Sequence, residues 1–364
     1  MTFSPALPVI VAAFLLAALI SLVVTPVLRR FLRGRGILDQ PNDRRVNRRP
    51  LPRGGGIAVV IAFVAVASPL ILFASSIPGM PDQRGVSSLQ LLGLIGGGIC
   101  AAVIGFVDDL LDLRARWQLL GQVGLAILAV AAGITIGVLS NPFASGPIAF
   151  AYPFAVVFTI IWIVGMINSI NFIDGLDGLS TGIALIAAST LGILSLGPEI
   201  QQPFLAILCF AFAGALLGFL RWNFFPAIVF QGTAGVMFVG YTLAVLSILG
   251  TTKVVVALLV LGVPIIDSFW VIVRRLSGGR SPFTPDRGHI HHRLLDLGLS
   301  HRATVLLIYG ICGTLGVVSL VVSAATGVYA FLGALVMFGV LIFALARGEQ
   351  QSLESTSYED QAGS

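Results

Sequence analysis

The sequence predicts an all-α polytopic integral membrane protein with ten to eleven transmembrane helices, and three observations predict it. Of its 364 residues, 57% are hydrophobic and only 10% are charged, giving a mean hydropathy of +1.01. No water-soluble core hides so much apolar surface, so a soluble enzyme is excluded. The apolar residues also gather into runs long enough to cross ~30 Å of hydrocarbon as helices. Finally, the basic residues concentrate on alternate connectors, as the positive-inside rule requires of a membrane chain.

In order, the apolar runs cover about 5–28, 55–77, 88–107, 119–139, 148–167, 178–196, 203–220, 232–249, 254–273, 303–322 and 327–346. The first has no basic residue before it and an arginine cluster after it, which predicts an uncleaved anchor with its N-terminus outside. If connectors then alternate sides, all but Arg84 and Lys253 of the 21 Lys and Arg fall on one face, the cytosolic one. Residues 1–346 read as a single transmembrane domain, and 347–364 as an acidic, disordered tail. Cys100, Cys209 and Cys312 each lie inside an apolar run without paired spacing, which indicates neither a disulfide framework nor a thiolate metal site.

The outer connectors are short and carry few charges, whereas every chemically loaded stretch lies on the cytosolic side, so one composite site there is expected. The densest stretch, 168–180, holds Asn168, Asn171, Asp174 and Asp177. Each aspartate precedes a glycine, so both carboxylates can face one way over a tight turn and hold a cation or a phosphate-bearing ligand. At the end of the third run, adjacent Asp108 and Asp109 call for a cation or a proton. Asp112 and nearby Arg114 offer a plainer alternative, a salt-bridged helix end. The first cytosolic connector carries nine arginines and ends in Arg53-Gly54-Gly55-Gly56. Its arginines suit anionic lipid or phosphate, and its glycines could open backbone N–H groups toward an anion. After the ninth run, His289, His291 and His292 stand among Arg280, Arg287 and Arg293. That setting disfavours zinc and suits a nucleotide or diphosphate. Asp267, inside the ninth run, is expected to pair with Arg274 or Arg275.

Five ordered motifs carry a family resemblance. They are Pro41-Asn42-x-Arg44-Arg45 with Pro50-x-Pro52-Arg53-x-Gly55-Gly56; Asp108-Asp109-Leu-x-Asp112 followed by Gln118; Asn171-Phe-Ile-Asp174-Gly-x-Asp177-Gly; Asn223-x-x-Pro226; and Ser281-Pro-Phe-x-x-Asp286-Arg287-x-His289-x-His291-His292. Over nearly its whole length the chain resembles the polyprenyl-phosphate N-acetylhexosamine-1-phosphate transferases, and more distantly the phospho-N-acetylmuramoyl-pentapeptide translocases. The resemblance implies transfer of a sugar-1-phosphate, most simply N-acetylglucosamine-1-phosphate, from a UDP-sugar to undecaprenyl or another polyprenyl phosphate, releasing UMP. It implies Mg²⁺, or Mn²⁺, as cofactor and the plasma membrane as location. The lipid acceptor, the UDP-sugar and the membrane are the implied partners; a homodimer is compatible with this and nucleic acid is not expected.

By the same resemblance, Asp108, Asp109, Asp174 and Asp177 are the catalytic candidates. Asn42, Arg44, Arg45, Asn223, Arg287, His289, His291 and His292 would bind the ligands, and Asn171, Asp109 and position 233 would bind the metal. The chain departs from the family pattern at two places. A Met-Gly-Asp-x-Gly-Ser-like stretch is here Phe230-Gln-Gly-Thr233-Ala-Gly-Val236, and the usual histidine of the first connector is Asn47. The alternative expectation is a degenerate relative that binds polyprenyl phosphate or UDP-sugar without turnover. A transporter or channel would instead place charges at mid-membrane and show a repeat architecture.

Overall fold

The structure, a computed structural model, describes residues 6–39, 50–83, 85–139, 141, 148–198, 200–249, 253–279, 281, 288–321, 329 and 333. The apolar runs become α1 (Leu7–Gly34), α2 (Ile57–Leu72), α3 (Ser88–Leu111), α4 (Ala115–Ala131), α5 (Tyr152–Ile173), α6 (Leu179–Leu196), α7 (Pro203–Asn223), α8 (Gly232–Ile248), α9 (Lys253–Val260), α10 (Gly262–Ser277), α11 (Ile290–Asp296) and α12 (His301–Val321). Six of these are long and apolar enough to cross a membrane, and α9 with α10 makes a seventh span if counted as one. The chain is a multi-pass helical membrane protein. The run at 327–346 and the acidic tail lie outside the described residues, apart from two isolated positions.

The bundle is built around α8, in which every residue from Ala234 to Ile248 is buried. A helix apolar all round belongs in the middle of a bundle, and α3, α5 and α9 pack against this one. Small residues make the close seams. A Cβ on Gly105 of α3 would overlap Thr233 and Ala234, and one on Gly240 would come within 2.6 Å of Ile167 Cα on α5. In hydrocarbon, helices associate through such close packing, because burying apolar surface there gains nothing over lipid. On the flank, α1 lies along α7 with Ile10, Ala13, Ala17 and Ser21 buried. Its outer face, with Leu15, Leu19, Val23 and Val27, stays exposed as a lipid-facing stripe that begins at the edge of the α7 contact.

Two departures from the expected helices have clear causes. The ninth run is not one helix: α9 and α10 meet at a bend of 77°. Pro264, in the first turn of α10, has no N–H to continue the ladder to Val260, and Gly262 adds freedom beside it. The connectors also contain strands. β1 (Leu38–Asp39) pairs antiparallel with β2 (Leu51–Pro52), and β3 (Val138–Leu139) with β4 (Ile148–Ala149). The first of these hairpins delivers Arg53 to the start of α2, next to the end of α3 and the start of α8.

Candidate active site

Arg53 is the hub of one half of the site. Its backbone N–H bonds Ile37 O at 3.2 Å, and Phe230 N–H donates to Pro52 O at 2.9 Å, so the hairpin is tied to the α7–α8 connector. From there the guanidinium places Nε 2.7 Å from Asp109 Oδ1, Nη1 2.8 Å from Asp112 Oδ1 and Nη2 3.6 Å from Asp108 Oδ2. Nη2 also donates to Thr233 Oγ1 at 3.2 Å. The cation that the paired aspartates call for is therefore a side chain of the protein. Burial works to lower the Arg53 pKa, but Asp109, Asp112 and Asp108 outweigh it and hold the pKa above its ordinary value.

Asp109 does a second task. It accepts from the amides of Thr233 at 2.8 Å and Ala234 at 3.0 Å, and so caps the N-terminus of α8 from outside that helix. Gly232 makes this approach possible: its φ is +71°, and a Cβ there would strike Gly54 and Asp109. Asp108 is fixed by Gln118 Nε2 at 2.7 Å and Leu113 N–H at 3.0 Å. Asp112 ends α3 in the left-handed region with φ +46°; the ion pair observed for it is with Arg53, on another connector, in place of the nearby Arg114.

The acidic turn between α5 and α6 forms the next part. Asp174 meets the Ser180 hydroxyl, which also lies 2.9 Å from Gln231 Oε1. Thr181 bridges Gln231 Oε1 at 2.7 Å and Asn223 Oδ1 at 2.8 Å, and Asn223 holds Val229 O at 3.1 Å. Buried Asp177 accepts from Ala227 N–H at 2.9 Å. Among the described residues, buried Gln231 Nε2 has no hydrogen-bond partner. This chain links Asp174 to the residue two before Thr233, so the acidic turn and the Arg53 hub share one wall.

The histidine segment closes over the same turn. His289 Nδ1 lies 2.7 Å from Asp267 Oδ2, and Ile290 N–H donates to Asp267 Oδ1 at 2.8 Å. The carboxylate inside α10 thus orients an imidazole, where the sequence suggested an arginine partner. The His291 ring stacks on His289 with centroids 5.7 Å apart and meets a tilted His292 ring at 4.3 Å. It is buried, and among the described residues neither ring nitrogen has a hydrogen-bond partner. A Cβ on Gly175 would overlap His291 Nε2, so the glycine of the acidic turn makes room for this ring. Burial, followed by His292, His289 and His301, pushes the His291 pKa well below its ordinary value, leaving the ring neutral.

Several expectations change. The amides of Gly55 and Gly56 do not face an anion: they donate to Phe230 O and Gln231 O, both at 2.8 Å. Ser180, Thr181, Gln118 and Gln231 belong to the network; the sequence placed Ser180, Gln118 and Gln231 within polar stretches without giving them a role and missed Thr181. The signal for Ser180 and Thr181 was polarity inside an apolar run, and for Gln231 polarity just before one. Asn42, Arg44, Arg45, Asn47 and Arg287 lie outside the described residues. The trio Asn171, Asp109 and Thr233 does not fit a divalent ion. Arg53 and two amides already fill three of roughly four acceptor positions on Asp109, and the Thr233 oxygen receives Arg53. Among the described residues no group of three His, Cys, Asp or Glu is arranged to hold a metal.

A family profile described as glycosyl transferase family 4 matches residues 91–251, from α3 through α8. Beyond that stretch, the chain is 34% identical over 341 residues to the probable undecaprenyl-phosphate N-acetylglucosaminyl 1-phosphate transferase of Bacillus subtilis (strain 168), covering 92% of this chain and 90% of the relative. The chain belongs to glycosyl transferase family 4. Other relatives are the decaprenyl-phosphate N-acetylglucosaminephosphotransferase of Mycolicibacterium smegmatis, 33% identical over 81% of this chain and 77% of its own, and the phospho-N-acetylmuramoyl-pentapeptide-transferase of Clostridium perfringens (strain 13 / Type A), 30% identical over 81% and 92%. As a family 4 member the chain is a membrane-bound transferase. Its Thr233 and Gln231 both fall inside the matched region.

Proposed function

We propose that the chain transfers N-acetylglucosamine-1-phosphate from UDP-N-acetylglucosamine to undecaprenyl or another polyprenyl phosphate, releasing UMP, as the first membrane step of a cell-envelope glycan. The reading places ten to eleven spans in the plasma membrane, the N-terminus outside and the site at the cytosolic face. The observation that carries it is the convergence of separate polar connectors on one wall, running from Arg53 and the α3 aspartates through Gln231 and Ser180 to Asp174, with His291 over Gly175.

A polyprenyl phosphate has a second pKa near 6 and is largely dianionic at neutral pH. One of its oxygens attacks the sugar-bearing phosphorus, the bond from that phosphorus to the bridging oxygen breaks, and UMP departs with the oxygen; no base is required. Positioning and charge neutralisation are what the protein supplies. Arg53 keeps three carboxylates from repelling the incoming phosphates. Neutral His291 and Asp267-oriented His289 offer ring nitrogens to the diphosphate or sugar. No step is assigned to a magnesium ion held by Asn171, Asp109 and Thr233, because that trio does not fit one.

UMP release by the purified full chain, given undecaprenyl phosphate and UDP-N-acetylglucosamine, tests the reading. Turnover should occur, should be lost in Asp108→Asn, and should fall sharply with UDP-N-acetylmuramoyl-pentapeptide as donor. Binding of UDP-N-acetylglucosamine without UMP release would overturn it in favour of a non-catalytic relative.

A further inference from the structure

We propose that the groove between α1 and α7 binds an anionic glycerophospholipid, with an acyl chain in the groove and the headgroup phosphate between Arg221 and Arg302. Near their middles the two helices touch closely, because a Cβ on Gly214 or Gly218 would overlap the backbone of Phe14 or Ala18. Toward the arginine-rich end, Trp222 stands between them and donates Nε1–H to Leu22 O at 2.9 Å. A cavity of about 970 Å³ opens there, lined by Leu19, Leu22, Leu217, Trp222 and Phe225 with Arg221 and Arg302 at its rim. That size lies within the range of pockets that hold small organic ligands, roughly 300–1,000 Å³. Exposed Leu19 and Leu217 place its mouth on the lipid-facing side.

Charge selects the occupant. The Arg221 guanidinium lies 5.1 Å from the Trp222 ring and that of Arg302 lies 5.8 Å from the Phe225 ring. Among the described residues neither is paired with a carboxylate, and none of the lining residues is acidic. Arg29 adds a third cation close by, bonding Ile228 O at 3.1 Å. An apolar slot ending in cations between membrane helices suits an anionic headgroup with its chain. Polyprenyl phosphate belongs elsewhere: buried Asp177 meets Ala227 from the inside of segment 224–228, whereas exposed Arg221 and Arg302 stand on its outside. Because Arg302 bonds Phe225 O at 3.4 Å, a bound lipid braces the segment on which Asp177 hangs.

Native mass spectrometry of the delipidated full chain, titrated separately with phosphatidylglycerol, phosphatidylcholine and undecaprenyl phosphate, tests this, together with hydrogen exchange across residues 222–230. Phosphatidylglycerol should bind at least tenfold more tightly than phosphatidylcholine, slow exchange in that segment, and resist displacement by undecaprenyl phosphate. Arg221→Gln with Arg302→Gln should weaken binding roughly ten- to thirtyfold, and Leu217→Trp, which fills the groove but keeps both charges, should weaken it as well. Equal binding of the two phospholipids, indifference to Leu217→Trp, displacement by undecaprenyl phosphate, or protection of the segment by dimerisation alone would each overturn the proposal.

Discussion

The Arg53 hub and the histidine segment are both polar groups at one end of an apolar bundle, yet they are finished differently. Around Arg53, three carboxylates, a hydroxyl and the first amides of α8 are mutually satisfied. Around His291, two ring nitrogens are buried without partners among the described residues, and Gln231 Nε2 beside the acidic turn is left the same way. Buried polar groups are normally paired, and leaving one unpaired costs about 1–3 kcal/mol. A closed network therefore holds helices in register, while the open one is shaped for something that arrives. Under the proposed function, the first half of the site serves as architecture with a charge and the second as the place where a ligand is received.

That contrast can be broken most directly at Arg53. In Arg53→Gln, three carboxylates lose their cation, and stability should fall by about 3–5 kcal/mol, as for a broken buried pair; UMP release should drop at least a hundredfold. A thermal melt near wild type would sink the architectural role. Asp109→Asn keeps the shape but weakens the cap of α8, with an expected loss of about 1–2 kcal/mol, read from the same melt. His291→Leu should separate the two halves. It removes two unsatisfied nitrogens, so the melting temperature should hold or rise while the KM for the UDP-sugar increases; a fall in melting temperature with KM unchanged would make His291 structural. In Thr233→Asp the new carboxylate lies beside the Arg53 guanidinium, so affinity for Mn²⁺ should stay unchanged by paramagnetic titration, and a rise of roughly tenfold would show that position 233 can complete a divalent-ion site.

The smallest effect is in pH. Because the folded His291 pKa lies below the unfolded value, about 6.5, the unfolded chain binds more protons as pH drops below that value. Stability should therefore decline from about pH 6.5 downward until the folded-state pKa is reached. The His291→Leu chain should lose less stability than the wild type over that window, and parallel pH curves would contradict the buried neutral ring.

The bundle was largely legible in the sequence because apolar runs translate directly into helices, and the first eight runs do so with shifted ends. The bend at Leu261 was not, since hydropathy averages over Pro264 as though it were any other residue. Asp108, Asp109 and Asp174 stood out because carboxylates are costly at a membrane. What they do with their charge depended on Arg53, 55 residues before Asp108, and on amides of α8, which no local pattern announces. The triple glycine misled for the same reason: it is as suited to another stretch of backbone as to an anion. His289 and Asp267 lie 22 positions apart, and their pairing emerges only once α10 turns the chain back.

The burial of α8 has a consequence for how the protein is made. During synthesis this helix meets lipid first and must then trade it for α3 and α5, which enter before it, and α9, which enters after. The trade is decided by the glycine seams, where one added methyl keeps the helices apart. Substitutions such as Gly105→Ala or Gly240→Ala should therefore register as defects of assembly, seen as rapid degradation of newly inserted chains, before they register in the turnover of whatever protein survives. Since α8 also carries the amides that Asp109 grips, the Arg53 end of the bundle cannot be completed until that exchange of lipid for protein is over.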